Sequence, residues 1–272
     1  MQTINSYRNR ILAALPPDEL AVVEPQLTRV ALRTRQVLGD PGQPIPLVCF
    51  PEDAVVSQIS VMADGSGIET ATVGHDGMTG LALFHGVDAT PEQVFVQVPG
   101  IGHTLSADAF RDALPRCPTL VRILHRFAQA LYTFVAQSSG CNRKHGVDQR
   151  CARWLLLVHD RVGRDRIELT QLFLSQMLGV RRATVTVAAG ALQKAGAIRY
   201  TRGRITVVDR ARLEAASCEC YAVIRSTFDR LLANERTPDP LADVHVSADG
   251  LTTAGDGTPM ARLGGARSVC WG

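Results

Sequence analysis

The sequence predicts an α+β chain: an antiparallel β jelly roll first, then one long helix, then a helical half closed by a two-strand wing. Three observations predict it. Short alternating runs broken by Gly and Pro fill the chain to about residue 101, a helical apolar period takes over at Leu120, and Gly179 sits between two amphipathic runs. With 272 residues and 46% hydrophobic content, the chain can bury a sizeable core and is long enough for two domains. The expected division is a jelly roll over 1–110, a long helix and hinge over 111–145, and a winged helical domain over 146–233. An acidic, Gly- and Thr-rich tail over 234–272 has the composition of a disordered segment.

The first apolar run, "NRILAALPPDELAVV" at 9–23, reads as a helix packed outside the roll. Val55, Ser57, Ile59 and Val61 alternate along one strand, "ADGSG" at 63–67 turns the chain, and "IETATV" at 68–73 returns it. "EQVFVQVPGIG" at 92–102 adds a strand ended by Pro99 and Gly100, and strands at this spacing suit a jelly roll. Beyond Pro115 and Pro118, the residues Leu120, Leu124, Phe127, Leu131 and Phe134 alternate steps of four and three. That is the seam of a helix packing lengthwise on another helix, and it is read as the seam between two subunits. A helix laying the stripe on its own barrel is the alternative. The polar "SSGCNRKHG" at 138–146 is expected to break the helix and mark a domain boundary.

"VDQRCARWLLLVHDRV" at 147–162 reads as a helix sending Trp154, Leu155 and Val158 into a second core. In "LTQLFLSQMLGVRRATVTVAAGALQ" at 169–193, Thr170 can cap a short helix from Gln171 to Leu178, and Gly179 can end it in the left-handed conformation. A second helix then starts near Arg181, runs through Leu192 and is closed by Gly196. Two short helices crossing steeply need apolar inner faces and a small residue where they meet. Leu174, Leu178, Val180, Val185 and Ala188 fit the inner positions, and Ser175 the crossing. Arg181, Arg182, Ala183, Thr186 and Val187 are left outside at the front of the second helix, the end that can reach base edges in a major groove. "IRYTRGRITVVD" at 198–209 makes two strands about Gly203, a wing whose Arg199, Arg202 and Arg204 can hold backbone phosphates.

The charge is distributed to match. Residues 1–140 carry 9 basic against 13 acidic side chains, 141–233 carry 17 against 8, and 234–272 carry 3 against 5. A basic block inside an acidic chain is the footprint of polyanion binding.

Other classes are excluded on residues. Apolar stretches such as Trp154 to Val158 fall far short of the roughly 20 residues that span a bilayer, and the N-terminus lacks a signal-peptide core. The chain is therefore expected to be cytoplasmic, with no membrane partner. No G-x-S-x-G, H-E-x-x-H or P-loop pattern organises its Asp, His and Ser residues, so no enzyme is expected. Gly74, Gly77 and Gly80 lack the spacing of a phosphate loop and suit barrel turns. The seven cysteines form no C-x-x-C pair. Cys218 and Cys220 stand one residue apart with no His nearby, so they read as reduced, unligated thiols, and neither metal nor cofactor is expected. His75, His85 and His103 could ligate haem, but lone histidines on strands or turns are usually structural. A ligand-binding or haem-sensing module that signals to a protein partner is the alternative function.

The order of barrel, long helix and winged helix-turn-helix, with "GHDGMTGLALFHG", "QRCARWLLLVHDRV" and "LTQLFLSQMLGVRRATVTVAAGALQKAGAIRYTRGRITVVDR", resembles the CRP/FNR family of bacterial transcription regulators over nearly all of residues 8–233. The resemblance implies a cyclic-nucleotide-binding-like sensor, a homodimer joined by the long helix, a palindromic double-stranded DNA operator, and RNA polymerase as a further partner. By motif position it implies that Thr170 meets phosphate at the mouth of the groove, with Gln171 beside it, while Arg181, Arg182, Thr184 and Thr186 face the DNA. Two departures matter. The family's best-known members read bases with a Glu and an Arg where this chain has Ala183 and Val187, so the operator should differ. Their nucleotide pocket needs a Gly-Glu pair and a later Arg-Ser or Arg-Thr; here Leu81 follows Gly80, and "DATPEQ" holds Asp88 and Glu92 but no cation. No classical cyclic AMP pocket is expected, and the effector is left open.

Overall fold

The computed structural model describes residues 6–201, 203–233, 245–246 and 252–253. Seven strands build the N-terminal part: β1 (Thr28–Leu32), β2 (Val37–Gly39), β3 (Leu47–Pro51), β4 (Val55–Val61), β5 (Gly67–Val73), β6 (Glu92–Val98) and β7 (Gly100–Ser106). They form two antiparallel sheets, ordered β1-β7-β3 and β2-β6-β4-β5, with the core between them. The β4–β5 hairpin closes as expected, with Met62 N–H donating to the Ser66 carbonyl at 2.7 Å. The run at 92–102 is not one strand. Pro99 separates β6 from β7, and Gly100 opens the second strand instead of ending the first.

The N-terminal run is also divided. Pro16 and Pro17 split it into α1 (Arg10–Ala13) and α2 (Pro17–Val23), because a proline cannot continue a helix entering it. It does not simply lie outside the roll, since Ile11 and Leu12 are fully buried in the core. Glu19 of α2 accepts the N–H groups of Thr119 and Leu120 at 2.8 and 3.0 Å, capping the long helix α5 (Pro118–Lys144) from outside its own sequence. Two short helices, α3 (Leu81–Phe84) and α4 (Ala107–Ala113), complete this half.

The polar stretch at 138–146 does not break α5, which runs to Lys144. Its polar groups have internal uses: Ser138 is buried and accepts from Arg153 Nη1 at 3.2 Å, and Cys141 is buried. The apolar stripe corrects a second expectation. Leu120, Leu124, Phe127 and Phe134 are at most 4% exposed within the single chain, and Leu131 is half-buried. Phe127 and Phe134 meet Phe228 of the last helix edge-on, at 6.4 Å in each case. Leu120, Leu124, Phe127 and Phe134 therefore belong to the chain's own core and offer little surface to a second subunit, while Leu131 stays partly accessible.

The helical half contains α6 (Val147–Val162), α7 (Gln171–Leu178), α8 (Arg182–Lys194), α9 (Arg210–Ala216) and α10 (Cys220–Leu231). A three-stranded sheet, β8 (Arg166–Glu168), β10 (Arg204–Val207) and β9 (Ile198–Thr201), forms the wing; β8 adds a strand the alternating pattern did not announce. Separately, 245–246 pairs antiparallel with 252–253. Most of the tail at 234–272, expected to be disordered, lies outside the described residues.

Arg161 of α6 joins the two halves. It is 2% exposed; its Nε donates to both Asp76 oxygens at 3.0 and 3.1 Å, its Nη1 to Thr72, and its guanidinium lies 5.6 and 5.8 Å from the rings of Phe134 and Phe228. Burial works against the Asp76 anion, but Arg161 outweighs it and holds the carboxyl below its ordinary value. The glycines of "GHDGMTG" now have a reason. A Cβ on Gly74 would come within 2.5 Å of the Arg161 side chain, and one on Gly77 within 2.3 Å of the Phe127 ring. Gly80 turns the chain with φ of 77°.

A second polar link sits beside it. Glu69 of β5 accepts from Trp154 Nε1 at 2.7 Å and Ser57 Oγ at 2.8 Å. Burial pushes its carboxyl up to about 7, against the pull of those donors and of Arg153 and Arg161.

Two outcomes follow. Arg161→Ala leaves Asp76 buried without its partner and should cost about 3–5 kcal/mol, read as a lower urea midpoint. Because the folded chain holds the Glu69 proton more tightly than the unfolded chain, this group's contribution is fully present below about pH 4.5 and lost as pH rises through about 7. Urea melts across that range should show Glu69→Gln with a weaker fall in stability on going alkaline than the parent; an unchanged slope would remove Glu69 as its source.

Candidate nucleic-acid interface

The turn between α7 and α8 is set by Gly179, which takes φ 63° and ψ 40°. Its N–H donates to the Gln176 carbonyl at 3.1 Å and the next, Val180 N–H, to Ser175 at 3.0 Å, so the last carbonyls of α7 are satisfied while the chain reverses. The steep crossing needs the inner residues it has: Leu174, Leu178, Val185 and Ala188 are buried, Val180 is half-buried, and Ser175 is 5% exposed at the crossing with its hydroxyl turned to the Leu172 carbonyl. At the other end of α7, the Thr170 hydroxyl accepts from Phe173 N–H at 3.2 Å, the expected cap.

This leaves the front of α8 open. Arg181, Arg182, Ala183, Thr184 and Thr186 are all exposed, and Val187 is 74% exposed. Arg181 occupies the cap position of α8 and its side chain makes no cap hydrogen bond, so the positive end of the helix dipole and two guanidinium groups share one surface. Thr186 Oγ1 lies 3.0 Å from Gln171 Oε1, tying the start of α7 to the outer face of α8. Thr170 is exposed beside the wing: Leu169 N–H donates to the Gly203 carbonyl at 2.8 Å, and a Cβ on Gly203 would touch Thr170 Cγ2. Arg199 and Arg204 are exposed on β9 and β10, with Arg204 3.6 Å from Glu168 in a solvent-facing pair. Arg202 lies outside the described residues. The nine other residues expected to face DNA are thus brought onto adjoining parts of α7, α8 and the wing.

The jelly roll offers little room at the place where β2, β4, β6 and α3 meet. The cavity there measures about 60 Å³, and its polar lining is Asp40, Gln58, Thr79, Thr90 and Glu92, without a cation. Asp88 is not in that lining; it pairs with Arg111 at 2.5 Å. The three histidines considered for haem lie apart in different surroundings. His75 Nδ1 is 3.2 Å from the Arg161 carbonyl, His103 Nδ1 is 3.2 Å from Glu52, and the His85 ring packs at 5.2 Å against Phe84.

One grouping escaped the sequence. Cys218 and Cys220 have no histidine near them along the chain, but folding brings Cys141 and His145 from the end of α5 to their side. The signal available was the Cys-x-x-x-His spacing at the end of the long helix, where His145 caps the last turn that carries Cys141.

Residues 149–216 match the family described as the Crp-like helix-turn-helix domain. No curated protein sequence matches the chain. Among solved structures, a putative CRP/FNR-family transcriptional regulator from Eubacterium rectale superposes with TM-score 0.58 at 14% identity, covering 74% of this chain and 94% of that one. A CRP-family regulator from Thermus thermophilus gives 0.56 at 19%, covering 70% and 96%. The c-di-GMP responsive global regulator CLP of Xanthomonas campestris gives 0.57 at 14%, covering 70% and 98%. The chain thus has the fold of the CRP/FNR transcription regulators and carries a Crp-like helix-turn-helix. Those neighbours are described as regulators, and among the described residues no helix is long and apolar enough to cross a membrane.

Proposed function

We propose that the chain is a sequence-specific DNA-binding transcription regulator that binds a palindromic operator as a homodimer and has no classical cyclic AMP pocket. The observation that carries this reading is the open front of α8, where Arg181 and Arg182 follow the Gly179 turn and pair with no carboxylate among the described residues. Arginines so placed can reach guanine O6 and N7, and Thr184 and Thr186 stand beside them. Thr170, Gln171, Arg199 and Arg204, with Arg202 on sequence alone, suit the flanking phosphates. The working division is a sensor over 1–110, a helix and hinge over 111–145, and a DNA-binding domain over 146–233. RNA polymerase as a partner, and the cytoplasm as the place of action, rest on the family resemblance.

The homodimer needs a different surface from the buried stripe. On the opposite side of α5, His125, Gln129, Tyr132, Val135 and Ala136 are exposed at steps of three and four, with Tyr132 at 70% and Val135 at 40%. A second copy of that face would place two recognition helices for half-sites about one turn, roughly 34 Å, apart. A cavity of about 60 Å³ edged by Asp40 and Glu92 falls well short of the roughly 300–1,000 Å³ of ordinary ligand pockets, which supports the absence of a cyclic-nucleotide site. A fold shared at 14% identity with a c-di-GMP responsive regulator carries no ligand across.

Replacing Arg181 or Arg182 by alanine should cost about 1–3 kcal/mol on the preferred operator and relax specificity at one position. Arg199→Ala should weaken all sequences alike and lower the salt slope by about one unit. Binding across an operator library at several salt concentrations separates the two effects; equal losses on every sequence would reduce Arg181 and Arg182 to electrostatic anchors.

The double variant Tyr132→Glu, Val135→Glu should sediment as a folded monomer with weakened operator binding. Phe127→Glu should instead lose the fold, since that ring is buried against Gly77 and Phe228. A parent chain that sediments as a monomer at micromolar concentration would remove the dimer.

A further inference from the structure

Four side chains with affinity for soft metal ions meet where the end of α5 touches the junction of α9 and α10. Cys141 lies in the last turn of α5 and His145 is the residue that caps it, with the His145 N–H donating to the Cys141 carbonyl at 3.0 Å, which keeps the two side chains near each other. Cys218 precedes α10 and Cys220 is its first residue, which puts the positive end of that helix beside the sulfurs. The four ligand atoms all lie within 4.8 Å of one another. Cys141 Sγ is 3.5 Å from Cys218 Sγ, and Cys220 Sγ is 3.6 Å from His145 Nδ1. A tetrahedral ion with bonds of about 2.3 Å to sulfur and 2.0–2.1 Å to nitrogen has ligand–ligand edges of about 3.5–3.8 Å. Both pairs have that length already.

The surroundings are those of a metal centre more than of three unrelated thiols and a histidine. With Nδ1 turned to the sulfurs, His145 points Nε2 at Glu219, 3.2 Å away, the carboxylate partner that fixes the tautomer of a ligating histidine. Gln137 Nε2 donates to Cys220 Sγ at 3.1 Å. Arg150 and Arg153 approach from α6; Arg153 is 5% exposed, and the Nε of each is buried without a hydrogen-bond partner. One buried and one half-buried guanidinium group near the sulfurs suit a site whose three thiolates outweigh a divalent ion by one negative charge. The remaining cysteines among the described residues, Cys49, Cys117 and Cys151, are buried separately in apolar core.

We propose that Cys141, His145, Cys218 and Cys220 form a tetrahedral site for one divalent, thiolate-seeking metal ion of the zinc type, which pins the α9–α10 corner to the end of α5. Four protein ligands leave no open position, so the site is structural, not catalytic. Binding exchanges the three thiol protons for the ion and releases them to solvent, while His145 ligates as the neutral imidazole and keeps its proton on Nε2; no electron moves. The pinned corner lies one helix from the interface. Arg150 of α6, facing the sulfurs, also donates to the Leu178 carbonyl at 2.5 Å, the last residue of α7 before Gly179. The site stands on its own geometry whether or not α8 reads DNA.

The full chain, purified under reducing conditions without added chelator, is the material for the test. Elemental analysis after gel filtration should find one zinc per chain. Co²⁺ added to the chelator-treated chain should give the intense visible ligand-field bands of a tetrahedral ion with sulfur-to-cobalt charge transfer, displaced by one equivalent of Zn²⁺. Glu219→Gln, which leaves all four ligands in place, should weaken Zn²⁺ binding about 10–100-fold. Cys151→Ser should leave the cobalt spectrum unchanged. A chain that carries no metal and gives only the pale spectrum of hydrated cobalt overturns the proposal without recourse to any variant. So would a Cys141–Cys218 disulfide in place of metal, or a brown iron–sulfur chromophore.

Discussion

The arrangement depends on one buried cation. Arg161 is the charge that α6 sends deepest into the seam with the β roll, and its side-chain partners each belong to a different element: Thr72 to β5, Asp76 to the loop after it, Phe134 to α5 and Phe228 to α10. An isolated guanidinium there would be prohibitively costly, so Asp76 must stay ionised and the two rings must face it. Glycine at 74 is then obligatory, because the arginine stem occupies the space of a side chain. The β roll, the long helix and the last helix are held to one another through a single side chain.

That constraint also explains why the long helix was only half legible. Steps of four and three from Leu120 to Phe134 state that a partner runs along this face, and one does. Its identity could be read only in part: the roll receives Phe127 at Gly77, the alternative the sequence offered, whereas the other partner is α10, whose Phe228 lies beyond the wing in a stretch with no distinctive motif. A periodic stripe specifies the geometry of a contact and is silent on which chain supplies the other side. The polar residues after Phe134 misled for a related reason: Ser138 and Cys141 look like a break only until Arg153 and the α10 corner are placed beside them.

The helix-turn-helix was legible almost to the residue, since its signals are local. Thr170 caps, Gly179 turns, and inner and outer positions follow from period alone within 25 residues. The jelly roll read well at the β4–β5 hairpin for the same reason and poorly at Pro99, where one apparent strand serves two sheets. Least legible was the cysteine cluster. Its halves are separated by 77 positions in the pair Cys141 and Cys218, and each half alone is an unconvincing motif.

The basic surplus of residues 141–233 changes meaning once the side chains are placed. Arg150, Arg153 and Arg161 are drawn inward, and Arg210, Arg212 and Arg225 pair with Asp160, Asp209, Glu214 and Asp229 around the C-terminal helices. These arginines hold the domain together and have little field left for a polyanion. What remains outside is narrower than the count of 17 suggests: at the front of α8 and on the wing stand Arg181, Arg182, Arg199 and Arg204, while Arg143, Lys144, Arg164, Arg166, Lys194 and Arg230 are exposed elsewhere on the helical half. The field of an exposed group falls off within a Debye length, about 8 Å at physiological salt, so on the proposed reading each of these arginines acts only on phosphates close to it. On the proposed reading, discrimination among sequences rests on short-range contacts at the front of α8, where Ala183 and Val187 offer no polar group and Arg181, Arg182, Thr184 and Thr186 are the exposed side chains able to hydrogen-bond base edges.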